Sequence, residues 1–245
     1  MNFSLITPTR RRIGKLTNFL NSVLYKTKDK DNIEVLIAYD SDDEWTANIK
    51  EALLHDFSSI NLKMTEYPRS TNLHSYYNQL YKISQGKTLI TLNDDSMFLT
   101  QDWDSIAQKK IDDYLVRFPD GIYYGMIDDL LLSRRHGRYC CFPFISRKIV
   151  EVIGHLQNEL FSWGGADIYL GNIVHAIDRV IDIKGVQIDH MSPHNHPDVP
   201  HDDLYHDNMA RVDKMQARTQ TDAISHDLEA VQRYIKEFHG KHYST

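Results

Sequence analysis

The sequence has little of several things. Its only two cysteines, Cys140 and Cys141, are adjacent, so no disulfide framework is available and a cytoplasmic compartment is the default expectation. No apolar run approaches the ~18 residues of a membrane-crossing helix, and no charged leader precedes a long apolar stretch, so a soluble protein is expected. Positive charge is not in excess. Against 34 Asp+Glu there are 28 Lys+Arg, a balance of −6 that argues against a wholesale footprint for nucleic acid and leaves room for a local basic patch. There is no internal repeat and no low-complexity linker.

What is present reads as an ordinary globular chain. Its 245 residues, 41% hydrophobic and 25% charged, can bury an ample core in one large domain or two small ones. Asn2–Thr7 alternates into a first strand, and Pro8-Thr9-Arg10 turns the chain. Ile13–Leu24 then carries apolar residues at helical spacing. Ile33–Tyr39 and Asn61–Glu66 are strands, and Thr46–Phe57 and Asn72–Ser84 are helices. Thr88–Leu92 is a buried strand after Gly86. Strand and helix thus alternate through the first hundred residues, which predicts a parallel sheet with right-handed crossovers.

Further on, Ser105–Arg117 reads as a helix and Gly121–Ile127 as a strand, with a basic loop over Arg134–Arg138. Tyr139–Ile145 reads as an edge strand broken by Pro143. Ser146 caps a helix over Lys148–Gly154, Ile168–Ala176 is helical, and Arg179–Ile188 is the last strand. A His- and Asp-rich segment, Asp189–Asp207, precedes a final helix capped by Thr219 or Thr221 and reaching about His239.

The chemistry gathers at strand ends. Asp40–Asp43, Asn93-Asp94-Asp95-Ser96 and Asp128-Asp129 each follow a predicted strand. Open α/β sheets bind ligands outside the carboxyl ends of their strands. Acidic clusters there repel one another, and a hard divalent cation that bridges to substrate phosphates is the usual offset. Taken singly, an Asp-Asp pair of this kind reads more readily as a solvated acidic turn than as a metal site.

Four stretches together resemble the inverting family 2 glycosyltransferases of GT-A fold. They are LITPTRRRIGKLTNFLNSV, IAYDSDDEWT, TLNDDSMFLTQDWD and FSWGGADIYLG, in the family's order across roughly residues 3–195. The resemblance implies a mostly parallel twisted α/β sheet with helices on both faces. Residues 1–200 would form the transferase domain, split into a nucleotide-sugar half (1–104) and an acceptor half (105–200), with 201–245 as a helical extension.

It also implies a metal-dependent transfer of sugar from a nucleoside diphosphate, UDP by expectation, to an acceptor hydroxyl. Thr7, Pro8 and Arg10 would line the nucleotide, Asp40 would accept the base's imide N–H, and Arg69 and Asn78 would border the donor. Asp95 would ligate Mn²⁺ or Mg²⁺, supported by Asn93 and Asp94, and His190 would add a ligand, with His194 and His196 as competitors. Asp167 would be the general base; its rival reading is a helix N-cap.

Two departures stand out: Asn93 where the family often has Asp, and Ala166 where it usually has Glu. The processive members' Gln-x-x-Arg-Trp motif is absent, so single transfers are expected. The acceptor is open: a glycan, a small molecule, or DNA with a hydroxymethylated base, whose phosphates Arg10–Arg12 and Arg134–Arg138 would meet. A zinc site from His190, His194, His196, His201 and His206 fits no standard spacing. A sugar-nucleotide pyrophosphorylase is disfavoured because TPTRRRIGK lacks the glycine-rich loop, and a non-catalytic binding module rests only on the two departures.

Overall fold

A computed structural model describes residues 1–161, 165–200 and 216–242. Strand β1 (Phe3–Thr9) is followed by α1 (Ile13–Lys26), which buries Leu16, Phe19, Leu20 and Val23 at three- and four-residue spacing. Next come β2 (Ile33–Asp40), α2 (Glu44–Asp56), β3 (Asn61–Tyr67), α3 (Leu73–Ile83) and β4 (Thr88–Thr91). All eight residues of β2 are buried, as a strand covered on both faces requires. These four strands are mutually parallel in the order β3-β2-β1-β4.

The remaining elements are β5 (Ser96–Phe98), α4 (Trp103–Arg117), β6 (Tyr124–Asp128), α5 (Leu132–His136), β7 (Phe144–Ser146), α6 (Arg147–Ile153), α7 (Ala166–Ala176), β8 (Val180–His190) and α8 (Gln216–His242). They extend the same sheet as β4-β7-β6-β8-β5, with β7 and β5 antiparallel to their neighbours. One sheet of eight strands therefore runs through both halves. Trp103 is fully buried where the halves join, against Phe3, Phe98 and Phe144. Helix α8 packs on α6 and α7.

Several expectations need correction. The strand predicted over Tyr139–Ile145 shrinks to Phe144–Ser146, because Pro143 lacks an N–H and the Cys141 N–H is taken by Asp129 (2.7 Å). The strand expected from Gly121 starts at Tyr124, since Gly121 sits at φ +78°. The Arg134–Arg138 loop is partly helical as α5, closed by Gly137 in the left-handed region. The last helix begins by Gln216, which places Thr219 and Thr221 inside it rather than at its cap. Strand β5 is too short for any periodicity to reveal. It pairs with β8 so that Ser96 faces His190, and this pairing carries His190 to the end of β4.

Candidate active site

The carboxyl ends of β1, β2 and β4 open into a cavity of about 370 Å³. The acidic residues there arrive already paired. Asp40, at the end of β2, is buried; it accepts Tyr76 O–H on one oxygen and Arg10 (2.7 Å) on the other. Burial, then the hydrogen bond to Asp40, pushes the Tyr76 hydroxyl up to about 12, so it stays a neutral donor at working pH. Arg10 also forks onto Asp42 (2.5 and 3.1 Å), and Arg69 reaches Asp42 at 3.4 Å. Asp43 serves structure: it caps α2 through Thr46 N and holds Arg11 N (2.8 Å).

After β4, Asp94 accepts Thr9 Oγ1 (2.8 Å) and Arg12 (3.1 Å). Burial raises its carboxyl above the ordinary range, against the pull of Arg12. Asp95 behaves oppositely. Burial works against its charge, but His190, Arg12 and Lys15 more than offset this and hold the carboxyl low. Lys15 Nζ lies 3.3 Å from Asp95 Oδ2, and His190 Nε2 lies 3.2 Å from Oδ1. Asn93 is oriented from both sides, accepting Tyr77 O–H (3.1 Å) and standing 3.1 Å from His190 Nε2. His190 Nε2 either donates to Asp95 or accepts from Asn93, according to the imidazole tautomer.

This is the arrangement a divalent cation fits. Asp95 Oδ1 is buried and accepts no hydrogen bond among the described residues. Neighbouring ligands about 2.1 Å from an octahedral ion lie about 3 Å apart. Among the described residues there is no group of three or more His, Cys, Asp or Glu that could hold a metal, so the remaining positions would fall to water or substrate oxygen. His194 also lines the cavity, whereas His196 is turned onto Asp189 (2.9 Å); His201 and His206 lie outside the described residues.

Asp167, in the first turn of α7, lines the same cavity. The cap of that helix is Gly165, left-handed at φ +81°, and Asp167 accepts the Ile168 N–H (2.9 Å). Burial pushes its carboxyl up, and Asp129 adds to this, so Asp167 holds a proton more readily than an ordinary aspartate. Trp163 and Gly164 lie outside the described residues.

The third acidic cluster is not part of the site. Asp129 is fully buried and organises its own loop, accepting Leu131 N, Ser133 N, Ser133 Oγ and Cys141 N. Asp128 forks onto Arg134 (2.8 Å twice). Both carboxylates are satisfied without a cation, and neither lines the cavity. Two of the expected donor residues also fall elsewhere. Thr7 is buried within β1, and it is Thr9 that faces the cavity. Asn78 holds the loop after α6, donating to Gln157 O and Glu159 Oε1 (both 2.8 Å) and accepting from Leu156 and Gln157 N–H. Pro8, Arg10, Asp40, Arg69, Asn93, Asp94, Asp95, Asp167 and His190 do come together there.

The sequence reading missed Lys15, Tyr76 and Tyr77. Both tyrosines sit on the buried face of α3, where they pass for core. Lys15 follows an N-terminus without a side-chain cap or an acidic residue in its first turn, which is the only local hint of an anion nearby.

A sheet whose first four strands are parallel, with Asp40, the Asp95–His190 pair and Asp167 lining one cavity at its edge, has the GT-A fold of the nucleotide-sugar transferases. The model of glycosyl transferase family 2 matches residues 4–166; the chain belongs to that family and is a glycosyltransferase. Solved structures agree in fold. Residues 1–349 of S. aureus TarS in complex with UDP superpose at a TM-score of 0.61 and 16% identity, over 93% of this chain and 71% of that one. The mannosyltransferase PcManGT from Pyrobaculum calidifontis, in complex with GDP-Man and Mn²⁺, gives 0.62 and 14%, over 96% and 69%. GalNAc-T7 with UDP, GalNAc and Mn²⁺ gives 0.60 and 12%, over 78% and 44%. No curated protein matches the chain in sequence. Among the described residues no helix is long and apolar enough to cross a membrane.

Proposed function

We propose that the protein transfers a sugar, with inversion, from a nucleoside diphosphate to an acceptor hydroxyl, and that UDP is the nucleotide. The observation that carries this is the pairing of Asp95 with His190 at 3.2 Å in the same cavity as Asp167. Asp95 and His190 would hold Mn²⁺ or Mg²⁺. Such an ion would supply Lewis-acid neutralisation of the charge that develops on the leaving nucleotide.

The protein's own groups do the rest. Asp40, fixed by Tyr76 and Arg10, takes the base's N–H, and Arg10 and Arg69 border the nucleotide. Lys15 and Arg12 stand beside Asp95 and Asp94, where cationic donors meet the diphosphate. Asp167 takes the acceptor's proton as attack proceeds from the opposite side of the anomeric carbon. The TarS complex with UDP, GalNAc-T7 with UDP and Mn²⁺, and PcManGT with GDP-Man and Mn²⁺ support a nucleotide-sugar donor with a divalent ion.

Calorimetric titration of UDP with and without Mn²⁺ is the test. Metal-dependent binding that Asp95→Ala removes is expected, and binding indifferent to both metal and substitution sinks the reading.

A further inference from the structure

The basic segment after β6 is left unused by the donor site. Four of its five residues, Arg134, Arg135, His136 and Arg138, are cationic or become so on protonation, and all four are exposed. Arg134 is offset by Asp128, and His136 stacks on Tyr139. Arg135 and Arg138 have no ion-pair partner among the described residues, in a chain whose formal charge is −6. Like charges this close repel, and an anion is what offsets them.

The segment is also held in place. Asp129 anchors the turn leading into α5 through Leu131 and Ser133 N–H, and fastens the exit at Cys141 N. Arg138 O lies 2.6 Å from His175 Nε2, and Tyr139 sits so close to Gly171 that a β-carbon there would meet it at 3.1 Å. Gly171 and His175 are on α7, the helix whose first turn carries Asp167. They lie four and eight residues on, about 6 and 12 Å along the axis. Cys141, at the end of the segment, lines the donor cavity together with Asp167. The basic segment therefore runs from the cavity, at Cys141, out along α7, with its arginines beyond the residues that line the cavity.

We infer that Arg135 and Arg138 form an acceptor subsite for phosphate, so that the acceptor is a phosphate-bearing molecule whose hydroxyl reaches Asp167. A phosphate monoester carries about −1.5 to −2 at neutral pH, which matches two unpaired guanidinium groups, and the planar guanidinium binds phosphate oxygens two at a time. This rests on the donor reading above for the position of Asp167. The same chemistry could come from a phosphorylated small molecule or from a phosphodiester polymer, and the experiment separates them.

Wild type and the double variant Arg135→Glu/Arg138→Glu would be compared, each saturated with UDP and Mn²⁺. One arm measures binding of inorganic phosphate, and another binding of a fluorescent duplex oligonucleotide across a salt series. Arg135→Gln/Arg138→Gln serves as a second variant without charge reversal, with UDP affinity as the control for folding. Wild-type binding in either arm, weakened about tenfold or more by reversal and less by neutralisation, is the expected result. If the duplex is the better ligand, its log–log salt slope should shrink in magnitude by about 2 when both arginines are removed. The subsite is overturned if wild type binds neither probe, or if both variants bind as wild type does while UDP affinity is normal. Loss of UDP binding by wild type would instead overturn the donor reading, and leaves the anion arms to be read independently.

Discussion

The hydroxyl of Tyr169 donates to Asp227, tying α7, whose first turn carries Asp167, to the C-terminal helix. His155 Nε2 (3.2 Å) and His226 Nδ1 (3.0 Å) complete the carboxylate's surroundings, and Asn158 Nδ2 holds the same tyrosine hydroxyl at 3.1 Å. Burial works against the charge of Asp227, but His155, Tyr169 and His226 more than offset it and hold the carboxyl below its ordinary value. Its contribution to stability is thus present above the unfolded-state value near 3.8 and lost as pH falls through the lower folded value. Asp227→Asn should flatten the acid limb of the stability curve below about pH 4, read by urea unfolding across pH. Tyr169→Phe should cost about 1–3 kcal/mol at neutral pH by leaving a buried acceptor short of a donor.

For Asp167 the sign is reversed. Its folded carboxyl is raised by burial, so its effect on stability is most favourable below the unfolded value and is lost as pH rises through the folded one. Asp167→Asn should therefore stabilise the fold at neutral pH while abolishing turnover and sparing UDP affinity. Thermal unfolding and a radiolabelled donor assay measure the two effects together. A general base must be deprotonated, so the acidic limb of the wild-type rate should lie above the usual aspartate range.

Tyr76→Phe should weaken UDP binding by about tenfold, since Asp40 loses one of the two groups that orient it. Because the Tyr76 hydroxyl is pushed up to about 12, the loss should be the same at pH 6 and pH 9, as calorimetry would show.

Gly86→Ala is a prediction about the fold alone. A β-carbon at Gly86 would lie 2.5 Å from Ser4 N and 2.7 Å from Phe3 C, where neither backbone atom can yield. The substitution should cost about 3 kcal/mol or more in chemical denaturation.

The first half of the fold was legible because β1–β4 and their helices bury regular faces: β2 is apolar on both sides, and α1 repeats every three to four residues. The expectation that Asp40, Asp94 and Asp95 meet was legible for the same reason, since parallel strands end on one edge. Asp128-Asp129 reads the same in sequence and is loop chemistry; nothing local distinguishes an aspartate that anchors a turn from one that faces a cavity. Asn78 was misplaced because an amide reads as polar whichever way it points, and here all its bonding goes to the loop at 156–159. The position of His190 came from the family resemblance; its physical cause is the three-residue strand β5.

That small pairing makes the site sensitive to chain length. Side chains alternate faces along a strand, so a shift of β8 by one residue against Ser96–Phe98 would put Asp189 where His190 now stands and turn the imidazole to the opposite face. Insertions or deletions of a single residue between Val180 and His190 should thus be far more damaging to metal-linked donor binding than to the sheet, which keeps β6 as a second partner for β8. Length in this stretch matters to the placement of His190 as much as residue identity does.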